Sequence, residues 1–298
     1  MLNNNPEKSL DQITNLKKKQ LQIQKLFSFD EKLFQRICYC GKSIAIQTHE
    51  NIKTLDRLSS FAQPKKCKLR FCPICSFYRV KNLTPQILRE LKSLRDQGKE
   101  LLFLTLTVPN CEYQDLRDTI QRMNKSFAKM ITNKQFKNNV THWIRTLEVT
   151  FKKDKAHPHF HNIIAVDKDY FKHKNFLRTK DWSKLWSRCY KSNQGLIVDA
   201  RGIKQKKGSK KDDITSAVAE LSKYIVKSQE LTKLDVKDVE VIYNQLTRLR
   251  FIVTSRNINL DEEKEESLDK ELWILVELII YKWNLKYKNY KYQRTIKR

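Results

Sequence analysis

The stretch Trp143–Val166 reads WIRTLEVTFKKDKAHPHFHNIIAV, and its pattern decides the fold. Two β-prone runs, Trp143–Phe151 and Phe160–Val166, flank the charged turn KKDKA, which predicts a β-hairpin. Alternate residues of a strand share a face, so His159 and His161 project together while Phe160 points the other way. If the chain turns about Lys153 to Lys155, Glu148 is expected near His161 and Thr150 near His159. A carboxylate and two imidazoles then converge on one face, an open site suited to Mg²⁺ or Mn²⁺. The plainer alternative is a solvated histidine pair at a strand edge, and Glu148 on the partner strand argues against it. A slip of one residue would turn Glu148 away. His157 precedes the strand and is the lesser candidate.

Outward from the hairpin, Leu101–Val108 (LLFLTLTV) reads as a further strand stopped by Pro109, and 196–200 as another. Ile87, Leu88, Leu91 and Leu94 recur at helical spacing in 82–97, with Gly98 as a stop. A second helix is expected over 115–131. A third, over 213–227, has an apolar face of Ile214, Ala217, Val218, Leu221 and Ile225. Glu220 and Tyr224 stand one turn apart on the polar side of that helix, and Lys227 extends it. Alone, that pair is ordinary surface decoration. Residues 167–212 mix aromatics with a polar loop, and 231–298 read mostly as helix ending in a basic, aromatic tail. Strands separated by helices without regular βαβ alternation predict an antiparallel α+β fold.

The chain has 298 residues and a formal net charge of +27, which calls for a polyanionic partner, most simply nucleic acid. With 40% hydrophobic residues it is expected to fold rather than stay disordered. Only five glycines occur, and no phosphate-cradling loop is among them. Gly41-Lys42-Ser43 lacks the glycine five residues earlier that a P-loop needs, since Arg36 stands there, and an ATPase of that kind is excluded. The N-terminus has no apolar core of signal-peptide length. The longest apolar run, Leu272–Ile280, contains Glu277 and is too short to span a bilayer. The expectation is a cytoplasmic protein with no membrane partner.

Five of the seven cysteines fall between Cys38 and Cys75. Cys67, Cys72 and Cys75, joined by Cys40 or by Cys38, have the spacing of a tetrahedral Zn²⁺ site, and the CPIC turn lets two sulfurs meet on one ion. Buried free thiols are the alternative, and the bunching within Lys- and Arg-rich sequence disfavours it. A closed four-sulfur site is structural. Cys111 and Cys189 stand apart and receive no role.

Together these residues resemble the replication initiators of small rolling-circle plasmids, a branch of the HUH endonucleases. FLTLTVPN (103–110) resembles the first motif, HPHFHNIIAV the metal-binding motif and AELSKYIVK the tyrosine motif, including the branch with a glutamate four residues before the nucleophile. Asp181–Trp186 and VDARGIK resemble the intervening segment, and CKLRFCPIC an upstream cysteine-rich one, with Cys40 as its first ligand. The resemblance implies an HUH-type antiparallel sheet flanked by helices, with an N-terminal zinc-binding lobe and a mainly helical C-terminal extension. The expected division is a basic, partly helical arm (1–36), a Cys-rich segment (37–81), a nuclease domain (82–230) and a helical extension (231–298). It also implies a metal on His159, His161 and Glu148, with Tyr224 as nucleophile forming a 5′-phosphotyrosine and a free 3′-OH. Glu220 would be general base for release, and Lys223 or Lys227 would contact the DNA or the transition-state charge. The partners implied are plasmid origin DNA, single-stranded or as a hairpin, a host helicase and a host DNA polymerase, with a homodimer allowed. An HUH transposase or relaxase is the nearest alternative, and a non-catalytic zinc-finger regulator the most distant.

Overall fold

The computed structural model describes residues 6–62, 64–152, 154–172, 176–203, 213–221, 228–261 and 272–297. In chain order the helices are α1 (Pro6–Gln24), α2 (Glu31–Tyr39), α3 (Pro73–Asp96), α4 (Leu116–Thr132), α5 (Lys134–Lys137), α6 (Thr179–Tyr190), α7 (Asp213–Leu221), α8 (Ser228–Leu231) and α9 (Val236–Leu246). The strands are β1 (Ser43–Asn51), β2 (Arg57–Ala62), β3 (Glu100–Thr107), β4 (Cys111–Glu112), β5 (Val140–Lys152), β6 (Lys155–Val166), β7 (Val198–Gly202), β8 (Ile252–Thr254), β9 (Trp273–Asn284) and β10 (Asn289–Lys297). The fold is α+β, with antiparallel sheets flanked by helices, as expected. Among the described residues no helix is long and apolar enough to cross a membrane.

Two compact units divide the chain. The first takes its described residues from Met1–Arg79, Ser228–Glu240 and Glu263–Arg298. Its four-stranded sheet runs β10-β9-β1-β2. Helix α1 buries Ile13, Leu16 and Ile23, and α2 buries Leu33 and Ile37. The Asp30 carboxylate caps α2 by accepting from the Leu33 N–H at 3.0 Å.

The second unit takes its described residues from Val80–Lys227 and Val241–Glu262 and holds the sheet β7-β3-β6-β5-β8. One face of this sheet carries Phe103, Ile144, Ile163 and Ala165. They share a core with Leu83, Ile87 and Leu91 of α3 and with Ile214, Val218 and Leu221 of α7. The other face carries Phe160, whose ring lies 6.0 Å from Phe127 of α4 and 6.4 Å from Trp186 of α6. Arg145 is clamped on that face, 4.1 Å from the Phe160 ring centroid and 4.6 Å from Phe127, and it donates to Asn124 Oδ1 at 2.8 Å. Burial lowers its pKa to about 10.

Three expectations are corrected. The hairpin register is Glu148 opposite His159, Thr150 opposite His157 and Thr146 opposite His161, two residues from the expected pairing. Its cause is a tight turn: Lys152 already pairs with Lys155, and Asp154 takes the left-handed conformation at φ +61°. A shift of two preserves the side-chain faces, so Glu148 still shares a face with the histidines. Among its described residues the C-terminal extension is not mainly helical. α9 ends at Leu246, and 273–297 form the hairpin β9–β10, paired through β9 to β1. The run WILVELIIYKWN is dense in β-branched and aromatic residues, which fit a pleated surface better than a helix. Finally, within 167–212, read as aromatics and loop, Thr179–Tyr190 is a helix that buries Trp182, Leu185 and Trp186. The Asp181 carboxylate accepts from the Arg178 N–H at 3.0 Å and closes its first turn.

Candidate functional site

Strands β5 and β6 bring Glu148, His159 and His161 together. Glu148 Oε2 lies 3.1 Å from His159 Nε2 and 2.8 Å from His161 Nε2. All three side chains are buried. The remaining ring nitrogens are also held: His159 Nδ1 is 3.2 Å from the His157 carbonyl and His161 Nδ1 is 3.3 Å from Thr105 Oγ1 on β3. A carbonyl can only accept, so His159 carries a proton on Nδ1, and in the neutral ring the Nε2 lone pair then faces the carboxylate. Two acceptors at that distance need a proton or a cation between them. Donors about 2.1 Å from a small divalent cation, at right angles, would be about 3.0 Å apart, which matches the observed separations. Burial pushes the Glu148 carboxyl up, but its interactions with the His159 and His161 rings outweigh it and hold it well below the usual carboxylate range. The three residues could therefore hold a metal ion through one carboxylate oxygen and two Nε2 atoms.

The second cluster is Cys40, Cys67, Cys72 and Cys75, all buried. Cys40 is the C-cap of α2, Cys72 directly precedes α3 and Cys75 lies in its first turn. Gly41 makes the first approach possible. Its φ is +62°, and a Cβ there would meet Ile74 Cδ1 at 2.6 Å. Cys40 Sγ is 3.6 Å from Cys72 Sγ and 3.6 Å from Cys75 Sγ, and Cys67 Sγ is 3.5 Å from Cys75 Sγ. Sulfurs at 2.3 Å from a tetrahedral Zn²⁺ stand about 3.8 Å apart, so the cage fits such an ion with a small expansion. Hydrogen bonding to Cys40 leads the shifts of its neighbours: the Cys67 and Cys72 thiols are pushed up and Cys75 is held down. Cys38 is outside the cluster, with its sulfur 3.8 Å from Gln24 Oε1, which leaves Cys40 as the convergent residue. The Lys17 ammonium, buried in α1, donates to the Cys40 carbonyl at 2.6 Å.

Helix α7 carries Glu220, half-buried, one residue before its end. Ile163 is two residues from His161 and so shares its face, and Ile163 shares a core with Ile214, Val218 and Leu221. The Glu220 helix thus covers the sheet face that bears the Glu148–His159–His161 group. Tyr224, Lys223 and Lys227 lie outside the described residues.

The sequence profile of the Replication protein family matches residues 59–291. The chain belongs to that family. Several curated relatives of the family are similar to it. A "Protein rep" of Streptococcus pneumoniae is 30% identical over 239 residues, covering 76% of this chain and 70% of the relative. One from Bacillus amyloliquefaciens is 34% identical over 216 residues, covering 71% and 62%, and one from Lentilactobacillus hilgardii is 31% identical over 181 residues, covering 59% and 58%. The match thus spans about three-fifths of the length of the last two. No solved structure matches the chain.

Membership in the Replication protein family agrees with the resemblance carried by the motifs. Within this family member two supporting groups escaped the sequence reading. Thr105 steadies His161, and the His157 carbonyl fixes the His159 tautomer. Thr105 was reachable, because β3 is the FLTLT run and antiparallel pairing to β6 sets Thr105 opposite His161. Lys17 had no signal: in sequence it is one of three consecutive lysines.

Proposed function

We propose that this protein initiates rolling-circle replication of a plasmid by nicking and rejoining its origin DNA. The convergence of Glu148, His159 and His161 on the sheet face covered by the Glu220 helix carries this reading. Tyr224 follows α7 by three residues in sequence and is the nucleophile. Its oxygen attacks the scissile phosphorus, the bond from phosphorus to the 3′ oxygen breaks, and that oxygen leaves as a 3′-OH that a host polymerase extends. The chain keeps the 5′ side as a phosphotyrosine, so the ester energy is retained and no nucleotide triphosphate is needed.

A phenol of ordinary pKa near 10 is a poor nucleophile, so the phosphate must be activated. Mg²⁺ or Mn²⁺ held by the three side chains would supply Lewis acidity at the phosphate oxygens. The chain's own part is to orient those donors. The Nδ1 contacts of both histidines fix the rings, and Glu148 stays ionised between them. Glu220 takes the proton from the water or hydroxyl that ends the cycle. Lys223 and Lys227 lie along the DNA, and Zn²⁺ in the four-cysteine cage holds the N-terminal lobe in shape.

Incubation with Mn²⁺ and a labelled single-stranded or hairpin origin oligonucleotide should give a covalent adduct that survives denaturant. Tyr224→Phe should give none. In Glu220→Ala the first cleavage should persist while release slows by about 10²-fold or more, as expected when a general base is removed. Equal loss of both steps would refute that role.

A further inference from the structure

We propose that the β9–β10 hairpin is a docking surface for duplex DNA, gripping its phosphate backbone; this rests on the reading of the chain as an origin-binding initiator. From Leu278 to Lys297 the sequence has six cations and no acidic residue. Lys297 stands opposite Glu277, the last acid before this run. The other five, Lys282, Lys286, Lys288, Lys291 and Arg294, are exposed. Lys282 and Lys291 are direct cross-strand partners, and Arg294, opposite Ile280, falls on the same face. Like charges directly opposite one another cost stability. A polyanion laid over them would remove that cost.

Protection of a sheet edge does not explain the pattern. Lysines on edge strands discourage strand addition, which accounts for Lys291 and Arg294 on β10. Lys282, however, is on β9, paired on both sides by β1 and β10, and Lys286 and Lys288 are in the turn. The opposite face is seated in the unit's core. Trp283 and Tyr290 are buried there at a ring separation of 5.0 Å, and the Tyr290 hydroxyl donates to the Gly41 carbonyl at 2.6 Å. The cations therefore sit on an anchored ribbon rather than a tail.

The exposed rings favour duplex over single strand. Tyr287 has Lys291 Nζ at 4.9 Å and Lys286 Nζ at 5.6 Å from its centroid, and Tyr292 meets Tyr281 edge-on at 6.3 Å. Tyr287, with two ammonium groups against its ring, has less open face on which an unpaired base could stack. The point charges around them are suited to phosphates.

The test is the salt dependence of binding to a labelled random-sequence duplex. The full-length variant Lys282→Gln/Lys286→Gln/Lys291→Gln should lower the slope of log K against log salt by about 2.7, and affinity by about 100-fold at 0.15 M salt. The equally discharged control Lys32→Gln/Lys92→Gln/Lys237→Gln should lose far less. The hairpin variant's thermal midpoint should be no lower than the parent's, since repulsion is removed. Lys282→Gln alone should lower the slope by about 0.9, which keeps the test open if the triple variant misfolds. An unchanged slope in the hairpin variants, an equal loss in the control, or a loss confined to single-stranded DNA would each overturn the proposal. Adduct formation on a single-stranded oligonucleotide should be retained by the hairpin variant, so failure of the nicking reading would appear in that assay instead.

Discussion

The double variant His159→Ala/His161→Ala is expected to lose at least about 10³-fold in DNA cleavage, equivalent to about 4 kcal/mol of transition-state stabilisation. The two Nε2 atoms are two of the three donors that could hold the ion, Glu148 Oε2 being the third, and a single buried carboxylate cannot hold a divalent cation in place. The same variant should lose measurable Mn²⁺ binding at this site while its zinc content, expected from the four-cysteine cage, stays that of the parent. Duplex binding should remain near the parent's level, because phosphate contacts provide most of that affinity. Cleavage that persists undiminished in the variant with added metal would remove these residues from the chemistry.

Cys72→Ser should have the largest effect on folding. Cys72 lies at the junction of α3 with the loop before it, and its sulfur touches Cys40, at the end of α2. The cage therefore ties together segments about thirty residues apart in sequence, and metal affinity in such a site is folding free energy, about 10–16 kcal/mol in small zinc-finger peptides. The parent should carry one tightly held zinc per chain, and the variant none, with the first unit losing its cooperative unfolding transition. Cys38→Ser should keep the zinc, since its sulfur lies outside the cluster. Zinc lost from Cys38→Ser and retained by Cys72→Ser would invert the assignment.

Much of the second unit was legible because its strands obey simple periodicity. His159-Phe160-His161 alternates between two faces, and the KKDKA turn separates two β-prone runs, so the convergence of Glu148 with both histidines followed from the sequence even though the register did not. Register depends on how many residues the turn consumes, and a two-residue turn with Asp154 at positive φ has no strong signature in a row of lysines. The C-terminal hairpin is ambiguous in the sequence for a different reason. A nine-residue apolar run carries no clear period, so it suits a buried helix or a strand equally, and the arbiter is its β-branched and aromatic content. β1 is signalled by the alternation of Ile44, Ile46 and Thr48, all buried, within the segment that the cysteine spacing assigns to metal binding. Lys17 was illegible in principle, because only tertiary packing distinguishes it from the lysines beside it.

In the proposed reaction Tyr224 attacks DNA whose phosphate is activated by a metal held by Glu148, His159 and His161. Peptide mass spectrometry of the covalent adduct formed with Mn²⁺ tests it most directly. The expected product is a nucleotide joined through its 5′-phosphate to Tyr224, formed only when divalent metal is present. Attachment to another residue, or the same adduct in the presence of excess chelator, would contradict it.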